Sequence, residues 1–180
     1  RYNFMRSLKH FAKIIICTLS LFSAFVFAQD RYGVLAYHSV VDESAAENQK
    51  HYFPQTISAQ TLIKHFNWLK ENGYNVISWQ QVIDAENGKG TLPDNAVLLS
   101  FDDGYETMYN VVFPLLKAYN YPAVFAPVTG WLDTPADQKI AYADKMLDRS
   151  VFATWSQVKE MEQSGLVEVA SHTHNLHNGI

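Results

Sequence analysis

Ala96-Val97-Leu98-Leu99-Ser100-Phe101-Asp102-Asp103-Gly104 is an apolar run that ends on two carboxylates and a glycine. A short run without polar alternation has the character of a strand buried on both faces of a parallel sheet. Residues 96–100 are therefore read as a central strand, with Asp102 and Asp103 just past its carboxyl end.

Working outward, the same strand-then-helix rhythm recurs. Upstream, YGVLAY (32–37) reads as a first strand, and the polar stretch 38–54 reads as a long loop. Ser58 can cap a helix over 59–72, whose Leu62, Phe66 and Leu69 recur at helical spacing. Gly73 supplies its stop. Residues 74–77 read as a second strand, and Ser78 with Gln81 forms a capping box for a short helix ending near 87–88. Downstream, 106–119 fits a helix bent by Pro114, and 123–128 the next strand. Thr154 and Gln157 form a second capping box, for a helix that stops at Gly165, and 167–170 read as the last strand. Alternating elements of this kind imply an α/β fold with a mostly parallel sheet and helices outside it. In such folds chemistry gathers at the carboxyl ends of the strands. His38, the Asp102-Asp103 pair and the stretch 171–177 all fall on that rim.

The first 28 residues stand apart from the fold. Met5 is followed by Arg6, Lys9 and Lys13, then by an apolar run over 14–27 that ends Val26-Phe27-Ala28. Basic, apolar and small-residue regions in that order describe a secretory signal peptide over 1–28, hence export to the periplasm or cell envelope. The apolar run falls short of the roughly 20 residues that span a bilayer as a helix, which leaves an uncleaved N-terminal anchor as the lesser reading. Cys17, the sole cysteine, lies inside it behind three isoleucines, where a lipoprotein signal would place small residues. The mature chain then has no cysteine, which excludes disulfides and cysteine-ligated zinc. Removal of the signal leaves ten basic residues against eighteen acidic ones. That balance argues against nucleic acid as a partner, because phosphate binding rests on Lys and Arg. Residues 29–180 suffice for one domain with a sizeable core, and they show no repeat or linker.

Two stretches carry candidate chemistry. Adjacent carboxylates repel each other, and a divalent cation ligated by one of them relieves the conflict. The bland alternative is a polar Asp-Asp-Gly turn. The second stretch, Ser171-His172-Thr173-His174-Asn175-Leu176-His177, has three histidines in six residues, and imidazole is the commonest metal ligand. His172 and His177, five apart, suit neither one helix face nor one strand face and could meet only around a loop. His174 and His177, three apart, could meet on a helical turn and so compete for the metal. A solvated His-rich loop is the bland reading here, and the presence of both stretches in one chain weakens both bland readings.

SFDDG (100–104), followed about 70 residues later by SHTHNLH (171–177), resembles the NodB-homology polysaccharide deacetylases, carbohydrate esterase family 4. Within them it is most similar to the poly-β-1,6-N-acetylglucosamine deacetylases of biofilm export systems, through VLAYHSV (34–40), SFDDGY (100–105) and the long loop before the second motif. The general family closes that motif with histidines four apart; here they are five apart, as in the biofilm subgroup.

The resemblance implies an incomplete (β/α) barrel of the NodB type, truncated at the C-terminus and open at an edge. It implies Asp103, His172 and His177 as ligands of a divalent metal ion (zinc, nickel, cobalt or iron), Asp102 as general base and His38 as general acid. Thr173 and His174 would support the ligands from behind. The implied activity is removal of N-acetyl groups from an N-acetylglucosamine polymer, with polysaccharide export machinery as a partner. Two alternatives stand beside it: another metal-dependent amidohydrolase or esterase, and a non-catalytic carbohydrate-binding module. Tyr105, Trp131 and Trp155 are candidates for stacking on sugar rings, with a core role an equal reading for Trp155. His51 and His65 read as surface residues without partners.

Overall fold

The computed structural model of the chain describes residues 31–42 and 55–177. The expected signal peptide, His51 and most of the 38–54 stretch lie outside the described residues. In chain order the first elements are β1 (Tyr32–Tyr37), β2 (Val40–Val41), β3 (Ile57–Ser58), α1 (Ala59–Glu71), β4 (Asn75–Ile77) and α2 (Trp79–Glu86). β5 (Ala96–Asp103) follows, then a π-helical turn (Met108–Val112) running into α3 (Phe113–Tyr119), β6 (Ala123–Pro127) and α4 (Thr129–Leu132). A hairpin of β7 (Lys139–Tyr142) and β8 (Lys145–Asp148), a 3-10 turn (Arg149–Val151), α5 (Trp155–Gln163) and β9 (Val167–Val169) complete it.

The expected α/β class holds. β1, β5, β6 and β9 lie side by side in that order, all parallel, and β4 also pairs with β5. β1 runs along Ala96–Phe101 on one edge of β5, so β4 and β6 share the other edge, β4 at 96–98 and β6 at 100–103. Among the described residues the sheet is open, with β1 and β9 at its edges. Consistent with an edge, Val34 is 53% exposed and Leu35 37%, unlike their β5 partners Leu98 and Leu99.

The helices form where the caps and apolar spacing dictate. Ser58 Oγ accepts from the Thr61 N–H at the start of α1, and Leu62, Phe66 and Leu69 make its buried face. Phe66 meets Tyr119 and Tyr121 edge-on. Complete burial of such a ring contributes about 1.5–3 kcal/mol. Both capping boxes, Ser78 with Gln81 and Thr154 with Gln157, are present with reciprocal hydrogen bonds.

Three features depart from the sequence reading. β5 continues through the carboxylates instead of ending before them, because β6 pairs with it as far as Asp103. The expected helix over 106–119 begins as a π turn, in which the Phe113 N–H donates five residues back to Met108. Pro114 has no N–H to offer the preceding turn, so it sits in the first turn of α3, where none is needed. The β7–β8 hairpin was not expected, since its turn is Ala143-Asp144 rather than an Asn-Gly or Asp-Gly pair. Ala143 nevertheless takes the left-handed conformation such a turn demands, at φ 51°.

Arg149 ties this hairpin to the rest of the fold. Its guanidinium is buried and donates to four main-chain carbonyls: Leu132, Phe152 and Ala153 at 2.8 Å and Thr134 at 3.0 Å. Arg149→Met keeps the stem but leaves those acceptors without donors. It is expected to lower stability by about 3 kcal/mol or more, read as the shift in urea midpoint by circular dichroism. A shift below about 0.5 kcal/mol would mean that water replaces the guanidinium at no cost.

Candidate metal centre

β5 delivers two carboxylates in succession, and successive strand residues point to opposite faces. Asp102 faces the side of Ser100, whose Oγ donates to Asp102 Oδ1 at 2.7 Å. Asp103 is turned into the molecule and is 1% exposed. The conflict expected between adjacent carboxylates is thus reduced by geometry as well as by any cation. The turn after them is sharp. Asp103 lies at φ 71° and Gly104 at φ 99°, and the Gly104 N–H donates to the Asp102 carbonyl at 2.9 Å. A Cβ on Gly104 would come within 2.9 Å of Pro127 Cβ, so both conformation and space call for glycine.

The histidine stretch returns to the same point from β9. His177 Nε2 lies 2.8 Å from Asp103 Oδ1 and His172 Nε2 lies 3.6 Å from it. Neither Asp103 oxygen accepts a well-formed hydrogen bond. A buried carboxylate in that condition, facing two imidazole nitrogens, is a donor set that could hold a divalent cation. One ligand atom from each of Asp103, His172 and His177 lies within 4.8 Å of the others. His174 is not in the cluster: its Nδ1 lies 2.9 Å from Thr129 Oγ1. Among the described residues it is the ring of His177, and not that of His174, that lies beside Asp103.

His38 stands one residue past β1. Because the last residue of β1, Tyr37, pairs with Phe101, His38 leaves the sheet at the same end as Asp102. The three sequence segments therefore share one rim, with His38 half-buried there.

Aromatic rings form the inner wall. Trp131 packs on His177 with ring centroids 4.7 Å apart, Tyr142 at 5.5 Å, and Phe152 touches Trp131 at 4.7 Å. Tyr105 donates its hydroxyl to the Tyr142 oxygen at 3.0 Å. Burial, then Tyr142 and the nearby Asp103, raises the Tyr105 phenol far above its ordinary range, so it remains a proton donor here. The sugar-stacking candidates sort differently from the sequence reading. Tyr105 and Trp131 are buried, whereas Trp155, for which a core role was an equal reading, is 44% exposed. Its indole N–H is fixed by Asp133 Oδ1 at 2.8 Å. His65 does have a partner, the Tyr37 hydroxyl at 3.2 Å. Sequence reasoning missed Tyr142, because the hairpin carrying it lacks a turn signature, and missed Ser100, whose role appears only through strand alternation.

Known proteins match this arrangement. The profile of the polysaccharide deacetylase family matches residues 89–179, which include both carboxylates and all three loop histidines. A poly-β-1,6-N-acetyl-D-glucosamine N-deacetylase of Escherichia coli (strain K12) is 43% identical over 171 residues, covering 88% of this chain and 25% of that protein. An enzyme of the same name from Staphylococcus aureus (strain N315) is 27% identical over 151 residues, covering 80% of this chain and 48% of that one. The chain thus spans a quarter to a half of these relatives' length. The solved structure of a de-N-acetylase from Aggregatibacter actinomycetemcomitans is similar at 76% identity and a TM-score of 0.78, over 82% of this chain and 56% of that one. The BpsB deacetylase domain from Bordetella bronchiseptica follows at 42% identity and a TM-score of 0.69, over 82% and 58%.

A ligand that binds only the folded protein stabilises it by about 2.7 kcal/mol at a hundredfold excess over its Kd. Zinc is accordingly expected to raise the melting temperature of the wild type and to leave Asp103→Asn and His177→Ala unmoved, measured by scanning calorimetry. An equal rise in all three would place the cation elsewhere.

Proposed function

The chain belongs to the polysaccharide deacetylase family, and from that premise we propose that it hydrolyses N-acetyl groups of poly-β-1,6-N-acetyl-D-glucosamine. The observation that carries the reading is the Asp103–His172–His177 cluster with Asp102 one residue away on the other face of the same strand. A pure binding module would have no use for that second carboxylate.

Asp103, His172 and His177 would hold the divalent cation. Two imidazoles and one carboxylate leave positions open, and they suit zinc, nickel, cobalt or iron. When bound, the cation polarises the amide carbonyl and acidifies a water. The remaining chemistry falls to the chain's own groups. Ser100 holds Asp102 Oδ1, so the other oxygen is the one left to accept the proton of the attacking water. His38, which follows β1 at the same end of the sheet as Asp102, would return a proton to the amine nitrogen as its bond to the acetyl carbon breaks. The apolar wall of Trp131, Phe152 and Tyr142 excludes bulk water from the His177 side and strengthens the electrostatic contacts there. Trp155, held edge-on by Asp133, offers an exposed ring for a neighbouring sugar.

The relatives' printed names support the polymer as substrate. Export to the periplasm or cell envelope through a signal at 1–28, and action beside polysaccharide export machinery in biofilm formation, belong to the same proposal. Among the described residues no helix is long and apolar enough to cross a membrane.

Acetate release from N-acetylglucosamine oligomers with added metal tests the reading on the full chain. Asp102→Ala is expected to lower kcat by about 10²–10⁴ while keeping its metal, and His38→Ala to lower kcat with metal likewise retained. Preferential release from acetyl esters would favour a different metal-dependent esterase on the same rim. Glycan binding without acetate release under any of the four metals would leave a binding module.

A further inference from the structure

Two imidazoles five residues apart can reach one point only if the chain between them is thrown clear of it. The turn after β6 holds that intervening chain. The His172 N–H donates to the Pro127 carbonyl at 3.1 Å, and Val128 bridges Thr173 in parallel. The Thr129 N–H donates to the Thr173 carbonyl and the Gly130 N–H to the His174 carbonyl, each at 3.0 Å. The Thr129 hydroxyl meets His174 Nδ1 at 2.9 Å. Thr173 Oγ1 then accepts from the Leu176 N–H at 3.1 Å, which turns the chain back toward Asp103 and delivers His177.

The closeness of this clamp depends on one missing side chain. A Cβ on Gly130 would stand 2.5 Å from the His174 carbonyl oxygen and against the Asn175 side chain. The amide of Asn175 could swing aside, but a main-chain carbonyl cannot without moving the arch. Gly130 is not at a positive φ, so its requirement is close approach rather than backbone conformation. The Gly33 position, where a Cβ would meet nothing within 4 Å, shows that such crowding is not general in this chain.

We infer that Gly130 is a positioning residue for the metal centre: with Thr129 and His174 it seats the 173–175 arch so that His172 and His177 face Asp103 together. His174 is on this reading a peg that docks the arch and not a spare ligand. The inference rests on the metal-dependent reading above and extends it to residues that touch neither cation nor substrate. Displacing the arch would separate the two imidazoles from Asp103 while leaving β5, β6 and β9 paired, so the loss should appear in metal affinity rather than in folding.

Zinc affinity, measured on the full chain by competition with a chromophoric chelator, tests this beside the melting temperature without metal. Gly130→Ala is expected to weaken zinc binding by about 10- to 100-fold with the metal-free melting temperature within a few degrees of wild type. His174→Ala and Thr129→Val, which remove the peg without adding volume, are expected to weaken it in the same direction but less. They decide the matter if Gly130→Ala does not fold. Wild-type affinity in Gly130→Ala, or in both peg variants, overturns the inference. So does loss of binding in His174→Ala as complete as in His177→Ala, since His174 would then be a ligand. A wild type that binds no divalent cation is a different failure, that of the metal-dependent reading itself.

Discussion

An ionised carboxylate withdrawn from water loses many kcal/mol of hydration unless partners of opposite polarity replace it. Asp103, 1% exposed and without a well-formed hydrogen bond to either oxygen, is placed under that constraint. The surrounding elements are arranged as its answer. β5 and β6 stay paired as far as Asp103, the Asp103-Gly104 turn takes a conformation rare outside glycine, and the chain beyond β9 doubles back so that two imidazoles confront it. A cation in their midst would convert an electrostatic cost into the strongest local interaction of the rim.

The same strand gives two adjacent and chemically identical residues different surroundings. Pleating turns Asp102 toward Ser100 and the half-buried side and turns Asp103 inward, and on the proposed reading the first serves as base and the second as ligand. In the proposed chemistry base and ligand must be close yet independent, and alternation along a strand supplies both conditions at no further cost in sequence. The parallel neighbour β1 ends one residue before His38, so the proposed acid and base leave the sheet from adjacent strands.

Packing behind the rim serves the same purpose. Arg149 gathers the carbonyls of Leu132, Thr134, Phe152 and Ala153, which fixes Trp131 and Phe152 relative to each other. Trp131 in turn bears on His177, and the β7–β8 hairpin brings Tyr142 against the same ring. An imidazole held on two sides loses little rotamer freedom on ligation, which is the physical value of a supporting shell. On the far side β1 is an edge of the sheet among the described residues, with Val34 and Leu35 exposed.

Much of this was legible in residue order alone. The apolar run 96–100, the caps at Ser58, Ser78 and Thr154 and the stops at Gly73 and Gly165 are local signals, decided by side chains within a few residues of one another, and the structure places elements at each of them. The residue types of the centre were local as well, because SFDDG and SHTHNLH concentrate rare chemistry in short stretches. Tertiary structure alone decided which histidines meet Asp103, which aromatic rings are wall and which is exposed, and that an Ala143-Asp144 pair closes a hairpin. The choice of histidines depends on contacts between distant segments, such as Thr129 with His174 and Asp103 with His177, whereas the hairpin is local and lacks only a turn signature. Spacing along a chain determines which residues can share a helix turn or a strand face; only the pairing of distant strands determines which loops are brought to the same point.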